Sequence, residues 1–147
     1  MKTCIAVLFG CASVEHEISI ISAVQAMHSI NREKYDVLPI YITKTREMYT
    51  GDGLTDIAAF QDIPALLQQC RRVYLVRENG KVLARYTEKK AFEKNAGIPV
   101  DVAFPIVHGT NCEDGTMAGY FEFLGLPYIS CDILSAAVGM DKAVFKE

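Results

Sequence analysis

Apolar positions in this chain fall into short continuous runs and helically spaced stripes, and the two alternate. Cys4 to Phe9 (CIAVLF) is an unbroken apolar run with β-branched members, ending at Gly10. Such a run is what a central strand buried on both faces looks like. Ser13 then stands where a helix N-cap belongs, with Glu15 and Glu17 in the first turn, where carboxylates offset the helix dipole. Ile20, Val24, Met27 and Ile30 follow at helical spacing, with Ala23 and Ala26 between them. Val37 to Ile42 (VLPIYI) predicts a second strand, and Pro39, which lacks an N–H donor, favours an edge position for it. A strand–helix–strand opening of this kind predicts an α/β fold: a mostly parallel, Rossmann-like sheet flanked by helices.

The pattern weakens between Thr43 and Gly97. Glu47 to Thr50 reads as a short strand, and Asp62 to Cys70 as a short helix with Pro64 near its start. Val73 to Val76 and Val82 to Arg85 flank Asn79-Gly80, a hairpin signal because type I′ turns require positive φ at both central positions. This stretch is expected to form an antiparallel hairpin extension of the parallel sheet. Val100 to Val107 (VDVAFPIV) predicts another buried strand, followed by His108-Gly109 and the loop Thr110 to Gly115. A helix with Met117, Tyr120, Phe121 and Leu124 on its apolar face comes next, ended by Gly125 and Pro127. Pro127 to Ile129 reads as a short strand. Asp132 caps a small helix through Val138, and Asp141 caps another that begins with Lys142. The final MDKAVFKE reads as an interrupted element, so a fragment of a longer protein is expected.

Composition narrows the function classes. Of the 147 residues half are hydrophobic and 22% are charged, which excludes a disordered chain. Lys+Arg is 15 against Asp+Glu at 18, a formal charge of −3 with no basic cluster, which tells against nucleic acid as a partner. No apolar run reaches the ~18 residues of a membrane span. Met1 to Phe9 reads as a first strand rather than a signal peptide, because Glu15, His16 and Glu17 follow so closely. The five cysteines are odd in number, widely spaced and without a C-x-x-C, which fits free thiols in a reducing cytoplasm better than a disulfide framework or a zinc site.

Two loops follow predicted buried strands, Gly10 to Glu17 and His108 to Gly115. Ligands of open α/β sheets collect at the carboxyl ends of strands, where helix N-termini point free N–H groups outward. Each acid or base in these loops also has a plainer reading. Glu15 and Glu17 compensate a helix dipole, His108 bonds a neighbouring carbonyl, and Glu113 and Asp114 are helix-start acids. Gly10 begins no G-x-G-x-x-G, and no P-loop, nucleophile elbow or H-E-x-x-H helix is present. His16 and Cys112 have no partner at ligand spacing.

Two strings reach further. LFGCASVEHEISIISA (Leu8 to Ala23) and FPIVHGTNCEDGTMAGYFEFLGLPYISCDILSAAVGMDK (Phe104 to Lys142) closely resemble the D-alanine–D-alanine ligase family. Its patterns run roughly [VL]-x-G-G-x-S-x-E-[HRY]-E-[VI]-S and H-G-x-x-G-E-D-G, continuing to S-A-x-x-M-D-K. The matches lie in family order and cover somewhat over a third of the chain.

The resemblance implies an ATP-grasp enzyme that joins two D-alanines through an acyl phosphate for peptidoglycan. Residues 1–130 would be its N-terminal substrate-binding (pre-ATP-grasp) domain and 131–147 the start of the central ATP-grasp domain. ATP and Mg²⁺ (or Mn²⁺) would serve the full-length enzyme, with neither expected here and the fragment inactive alone. Glu15 matches the acid that anchors the first substrate's ammonium, and His108 the histidine beside its carboxylate. Lys142 matches the lysine that reaches ATP phosphates. Ser13, Ser19 and Glu113 are supporting positions. The expected partners are D-alanine and ATP, with a homodimer as the assembly. Cys11, Cys112, Ala118 and Ser130 stand where the family pattern has glycine, glycine, glutamine and glycine. By analogy the strands preceding Cys11 and Cys112 are expected to be neighbours. The S-C-D-I-L string also resembles vancomycin-resistance ligases that make D-alanyl-D-serine or D-alanyl-D-lactate. A reading from another class, a small-molecule-binding or dimerisation module needing no ATP, stands beside both.

Overall fold

The structure, a computed structural model, describes residues 2–88 and 97–146. Strand β1 (Thr3–Gly10) holds the CIAVLF run, and its surroundings explain why the run is unbroken. Ile5, Val7 and Phe9 enter one core while Ala6 and Leu8 enter the other. A strand needs apolar side chains at every position only when both faces are covered. Helix α1 (His16–Ser29) covers one face with Ile20, Ala23, Val24 and Met27 and returns the chain to β2 (Tyr35–Ile42), which pairs with β1 in parallel.

Helix α1 starts later than the sequence predicts. Glu15, not Ser13, occupies its N-cap position, and no side chain caps it. The Ser13 hydroxyl is bonded to the loop opposite instead.

Beyond β2 the chain folds back repeatedly. β3 (Met48–Thr50), β4 (Arg71–Glu78), β5 (Lys81–Tyr86) and β6 (Ile98–Val100) each pair antiparallel with the strand before. Two 3₁₀ turns and α2 (Ile63–Gln69) lie between β3 and β4. Asp62 caps α2, its carboxylate accepting from the Ala65 N–H at 3.0 Å. Asn79 and Gly80 turn β4 into β5 with φ of 49° and 79°, the positive pair a type I′ turn demands. Pro39 is an edge residue only locally: β3 pairs with Tyr41 and Ile42, while the Pro39 carbonyl accepts from the Thr50 hydroxyl at 2.7 Å.

Strand β7 (Val102–Ile106) then pairs in parallel with the free side of β1. The expectation of a mostly parallel sheet therefore needs correction. Among the described residues four strand pairings are antiparallel and two parallel, so only β7–β1–β2 carries the Rossmann-like arrangement. Parallel neighbours need a crossover such as α1, whereas the tight returns after β2 and β4 join antiparallel neighbours. The extension thus supplies more of the sheet than the frame it extends.

The expected strand Val100 to Val107 is also split. The sheet order is β6-β5-β4-β3-β2-β1-β7, yet only Asp101 separates β6 from β7. Elements so close in sequence cannot end at opposite edges of a flat sheet, so the sheet curls back on itself. Asp101 fastens the curl: its N–H donates to the Cys4 carbonyl at 3.0 Å, and its carboxylate accepts from the Cys4 N–H at 2.7 Å. The inside of the curl is filled by Ala6, Leu8, Val73, Leu75, Val82 and Ala84 from the strands and by Met117, Phe121 and Leu124 of α3 (Thr116–Leu124).

Gly125, at φ 61°, ends α3 in a Schellman motif, with the Leu126 N–H on the Phe121 carbonyl and the Gly125 N–H on that of Glu122. Tyr128 then bridges to Ala103 as a single parallel pairing rather than a full strand. Asp132 caps α4 (Ile133–Met140), which buries only Ala136 and leaves Leu134 73% exposed. No described helix is long and apolar enough to cross a membrane.

Candidate functional site

Parallel pairing of β1 with β7 puts Phe9 opposite Ile106, so the loops that follow leave the same sheet edge side by side. The first loop is pressed tightly against β2. Gly10 has φ 90°, and a Cβ there would lie 2.4 Å from the Ile42 carbonyl oxygen, so only glycine fits. The next N–H, that of Cys11, donates to the same carbonyl at 2.7 Å.

Two serines stitch this loop to its neighbour. The Ser19 hydroxyl, fully buried, accepts from the Gly10 N–H at 2.7 Å and donates to the Ile106 carbonyl. The Ser13 hydroxyl donates to the His108 carbonyl at 2.5 Å and accepts from the Glu15 N–H at 3.0 Å. Each hydroxyl has one proton, and each uses it on a main-chain oxygen of the facing strand or loop. These predicted support positions hold the loops rather than offering a free donor.

With the loops fixed, Glu15, His108 and Glu113 converge. One ligand atom from each lies within 4.8 Å of the others. His108 Nδ1 stands 3.8 Å from a Glu113 carboxylate oxygen, too far for a hydrogen bond, while the other Glu113 oxygen accepts from the Gly109 N–H at 2.7 Å. Gly109 has φ 81°, and a Cβ there would press on Ser13 Oγ at 3.0 Å, just behind the Glu15 carboxylate. Glu15 and Glu113 are exposed, and the His108 side chain is 31% exposed. Its Nε2 is nevertheless buried and has no hydrogen-bond partner among the described residues. A buried, unsatisfied ring nitrogen is costly unless something completes it. A cavity of about 380 Å³ adjoins it, lined by His108, Cys112, Glu113, Met117 and Ser130 among others.

The sequence offers His16 no partner at ligand spacing, yet the fold supplies two. His16 is 1% exposed, with Nδ1 bonded to the Cys11 carbonyl at 2.5 Å and Nε2 to the Tyr41 hydroxyl at 2.9 Å. A carbonyl only accepts, so Nδ1 carries a proton, and Nε2 pairs with the tyrosine hydroxyl. Burial pushes the Tyr41 phenol up to about 12, which keeps it a donor. The only hint in the sequence is the apolar surroundings of Tyr41. Cys112 is likewise not alone: it is buried in one core cluster with Cys11, and their loops leave the paired strands β1 and β7. This agrees with the expectation that their strands are neighbours. Asp114 shapes the second loop by accepting from the Asn111 and Thr116 N–H groups at 2.8 and 3.1 Å.

Lys142 lies exposed on the turn after α4 and does not line the cavity beside His108. The Glu15–His108–Glu113 group suits an organic ammonium better than Mg²⁺, which demands oxygen ligands in near-ideal octahedral geometry. A larger cavity of about 510 Å³ lies at the other ends of the parallel strands, lined by Lys2, Cys4, Asp36, Arg77 and Asp101 among others. It holds none of the residues predicted to act.

Fold and cluster together describe an α/β domain with polar groups gathered at the carboxyl ends of two adjacent parallel strands. More narrowly, the chain belongs to the D-ala D-ala ligase N-terminus family, which matches residues 4–131. It is 44% identical over 144 residues to a D-alanine--D-alanine ligase of Thermosipho melanesiensis, covering 97% of this chain and 38% of that protein. Among solved structures it resembles the D-alanine-D-alanine ligase of Coxiella burnetii, with a TM-score of 0.84 at 31% identity, covering 99% of this chain and 40% of that one. It also resembles the VanG D-Ala:D-Ser ligase of Enterococcus faecalis, with a TM-score of 0.77 at 34% identity, covering 98% and 40%. The chain thus spans about two fifths of the length of these relatives.

Proposed function

We propose that this chain is the amino-acid-binding part of an ATP-dependent D-alanine–D-alanine ligase that makes the dipeptide used in peptidoglycan. Residues 1–130 form its N-terminal domain, and 131–147 begin the central one, a division supported by the family match ending at residue 131. The observation that carries the reading is the convergence of Glu15, His108 and Glu113 within 4.8 Å from two separate loops. Neither dipole compensation by Glu15 nor a structural role for His108 requires it.

The Glu15 carboxylate takes the ammonium of the first D-alanine, a charge-assisted contact that orients rather than reacts. His108 Nε2, buried and unpartnered, donates to that substrate's carboxylate. Glu113 is engaged with the Gly109 N–H and holds the second loop in shape beneath His108. Holding a reactant in one geometry is what this domain contributes to the rate. In the assembled ligase ATP and Mg²⁺ would supply the activation of that carboxylate, and Lys142 is the residue of this chain that would reach the ATP phosphates.

A second reading, a D-alanine–D-serine ligase, is favoured by the likeness to VanG. Phosphate release by the full-length ligase with D-alanine, D-serine and D-lactate in turn tests both. Release with D-alanine alone supports the first reading, and release requiring D-serine the second. No release with any amino or hydroxy acid contradicts both.

A further inference from the structure

Helix α1 begins without a side-chain cap, yet the turn before it, Cys11 to Glu15, carries the Glu15 carboxylate of the site. His16, the first residue of α1, supplies what the missing cap does not. Its Nδ1–H donates to the Cys11 carbonyl at 2.5 Å, the same oxygen that accepts from the Ser13 N–H at 3.1 Å. The Cys11 N–H is fixed in turn by the Ile42 carbonyl at 2.7 Å. Cys11 is therefore gripped on both sides of its Cα, where the backbone takes φ 72°. A residue with a side chain keeps that left-handed conformation only where its surroundings over-determine it.

The histidine ring is itself anchored. Nε2 pairs with the Tyr41 hydroxyl at 2.9 Å, and the two rings meet edge to face with centroids 5.5 Å apart. Tyr41, in β2 and 2% exposed, packs against Phe9 and Phe60 with centroids 5.7 and 5.4 Å away. Gly10 leaves the room both rings need, since a Cβ there would lie 2.9 Å from Tyr41 Cε2 and 3.1 Å from His16 Cε1. Packing alone does not call for a histidine here, because an apolar side chain fills such a space with no polar atom to satisfy. What the ring adds is a rigid link from a central strand to a strained piece of main chain.

We propose that His16 is a positioning residue of the amino-acid site, a peg seated on Tyr41 that fixes the Cys11–Glu15 turn and, through it, the Glu15 carboxylate, a role that rests on Glu15 holding the substrate ammonium. The two neighbours face opposite ways: Glu15 is exposed at the site and His16 is buried beneath it. His16 is not among the converging groups, so it acts only through Glu15. Ser13 ties the turn to the His108 loop, and His16 ties it to the sheet. An acid that orients a substrate needs both, because a small misplacement of an orienting group weakens its hold on the reactant.

The test is the KM for the first D-alanine and for ATP in the full-length ligase carrying His16→Leu, His16→Asn, Glu15→Gln, or His16→Leu with Glu15→Gln. An asparagine amide places its N–H where Nδ1–H stands but does not reach Tyr41. His16→Leu should raise the KM for the first D-alanine roughly tenfold and leave that for ATP unchanged. His16→Asn should recover most of the rise, and the double variant should match Glu15→Gln alone. A histidine that only stabilises the fold alters the fraction of active enzyme, hence kcat, and not KM. An unchanged KM in His16→Leu, equal rises in the leucine and asparagine variants, or a double variant whose rises multiply overturns the proposal and leaves the Glu15 assignment standing. An unchanged KM in Glu15→Gln overturns both. If His16→Leu does not fold, Tyr41→Phe, which removes one hydroxyl, takes its place. A KM for the first D-alanine about two- to threefold higher, with that for ATP unchanged, supports the peg, and an unchanged value overturns it.

Discussion

Ser13 and His108 are joined by a single hydrogen bond, hydroxyl to carbonyl at 2.5 Å, across 95 positions of sequence. The same hydroxyl accepts from the Glu15 N–H. One oxygen atom therefore sets the distance between the two residues assigned to opposite ends of a substrate.

Ser13→Ala removes both bonds and leaves the His108 carbonyl and the Glu15 N–H to find other partners. A loss of about 1–2 kcal/mol in stability is expected, read as a lower urea midpoint with unchanged slope. Ser13→Thr keeps the hydroxyl and should recover most of it. Equal losses in both variants would mean that packing, not the bond, matters here.

Gly10 and Gly80 separate two reasons for a glycine. Both have positive φ, 90° and 79°, but a Cβ at Gly80 meets nothing within 4 Å while one at Gly10 meets the Ile42 carbonyl at 2.4 Å. Gly80→Ala should destabilise by about 1 kcal/mol, the backbone contribution alone. Gly10→Ala adds a clash with main chain and should lose about 3 kcal/mol or more. Comparable midpoints in thermal unfolding for the two variants would contradict this account of the first loop.

Tyr41 gives a pH signature. Burial raises its phenol from 10 to about 12, so the folded chain keeps a proton that the unfolded chain sheds above pH 10. Stability from this group is fully present below pH 10 and is lost as pH climbs towards 12. Tyr41→Phe removes the titrating group, and its stability should fall less steeply than that of the natural chain between pH 10 and 12. Parallel curves over that window would show that Tyr41 ionises alike in both states. At neutral pH the same variant leaves His16 Nε2 without its partner, and about 1 kcal/mol should be lost.

Much of this arrangement is legible in the sequence because local chemistry dictates it. Cys4 to Phe9 announces a strand covered on both faces, Asp62 a helix cap, Asn79-Gly80 a type I′ hairpin and Gly125 a Schellman stop. What fails to show is what depends on distant partners. β3 and β6 have three residues each, too few for an alternation to declare strand direction, so the antiparallel majority of the sheet stays hidden. Asp101 sits within an apolar run as though inside one strand, and only its bonds to Cys4 reveal the break. Ser13 has the residue type and spacing of an N-cap, yet its proton goes to His108. Glu15 and His108 were identifiable as a pair only through the family pattern. Their meeting follows from the pairing of β1 with β7, which no local period encodes.

The central claim, that Glu15 holds the ammonium of the first amino acid, is tested most directly by the KM for D-alanine in the full-length ligase carrying Glu15→Gln. The substitution preserves shape and removes only charge. A charge-assisted hydrogen bond contributes about 1.5–3 kcal/mol, so KM for the first D-alanine should rise roughly tenfold or more with the fold intact. A KM equal to that of the natural enzyme would contradict the assignment.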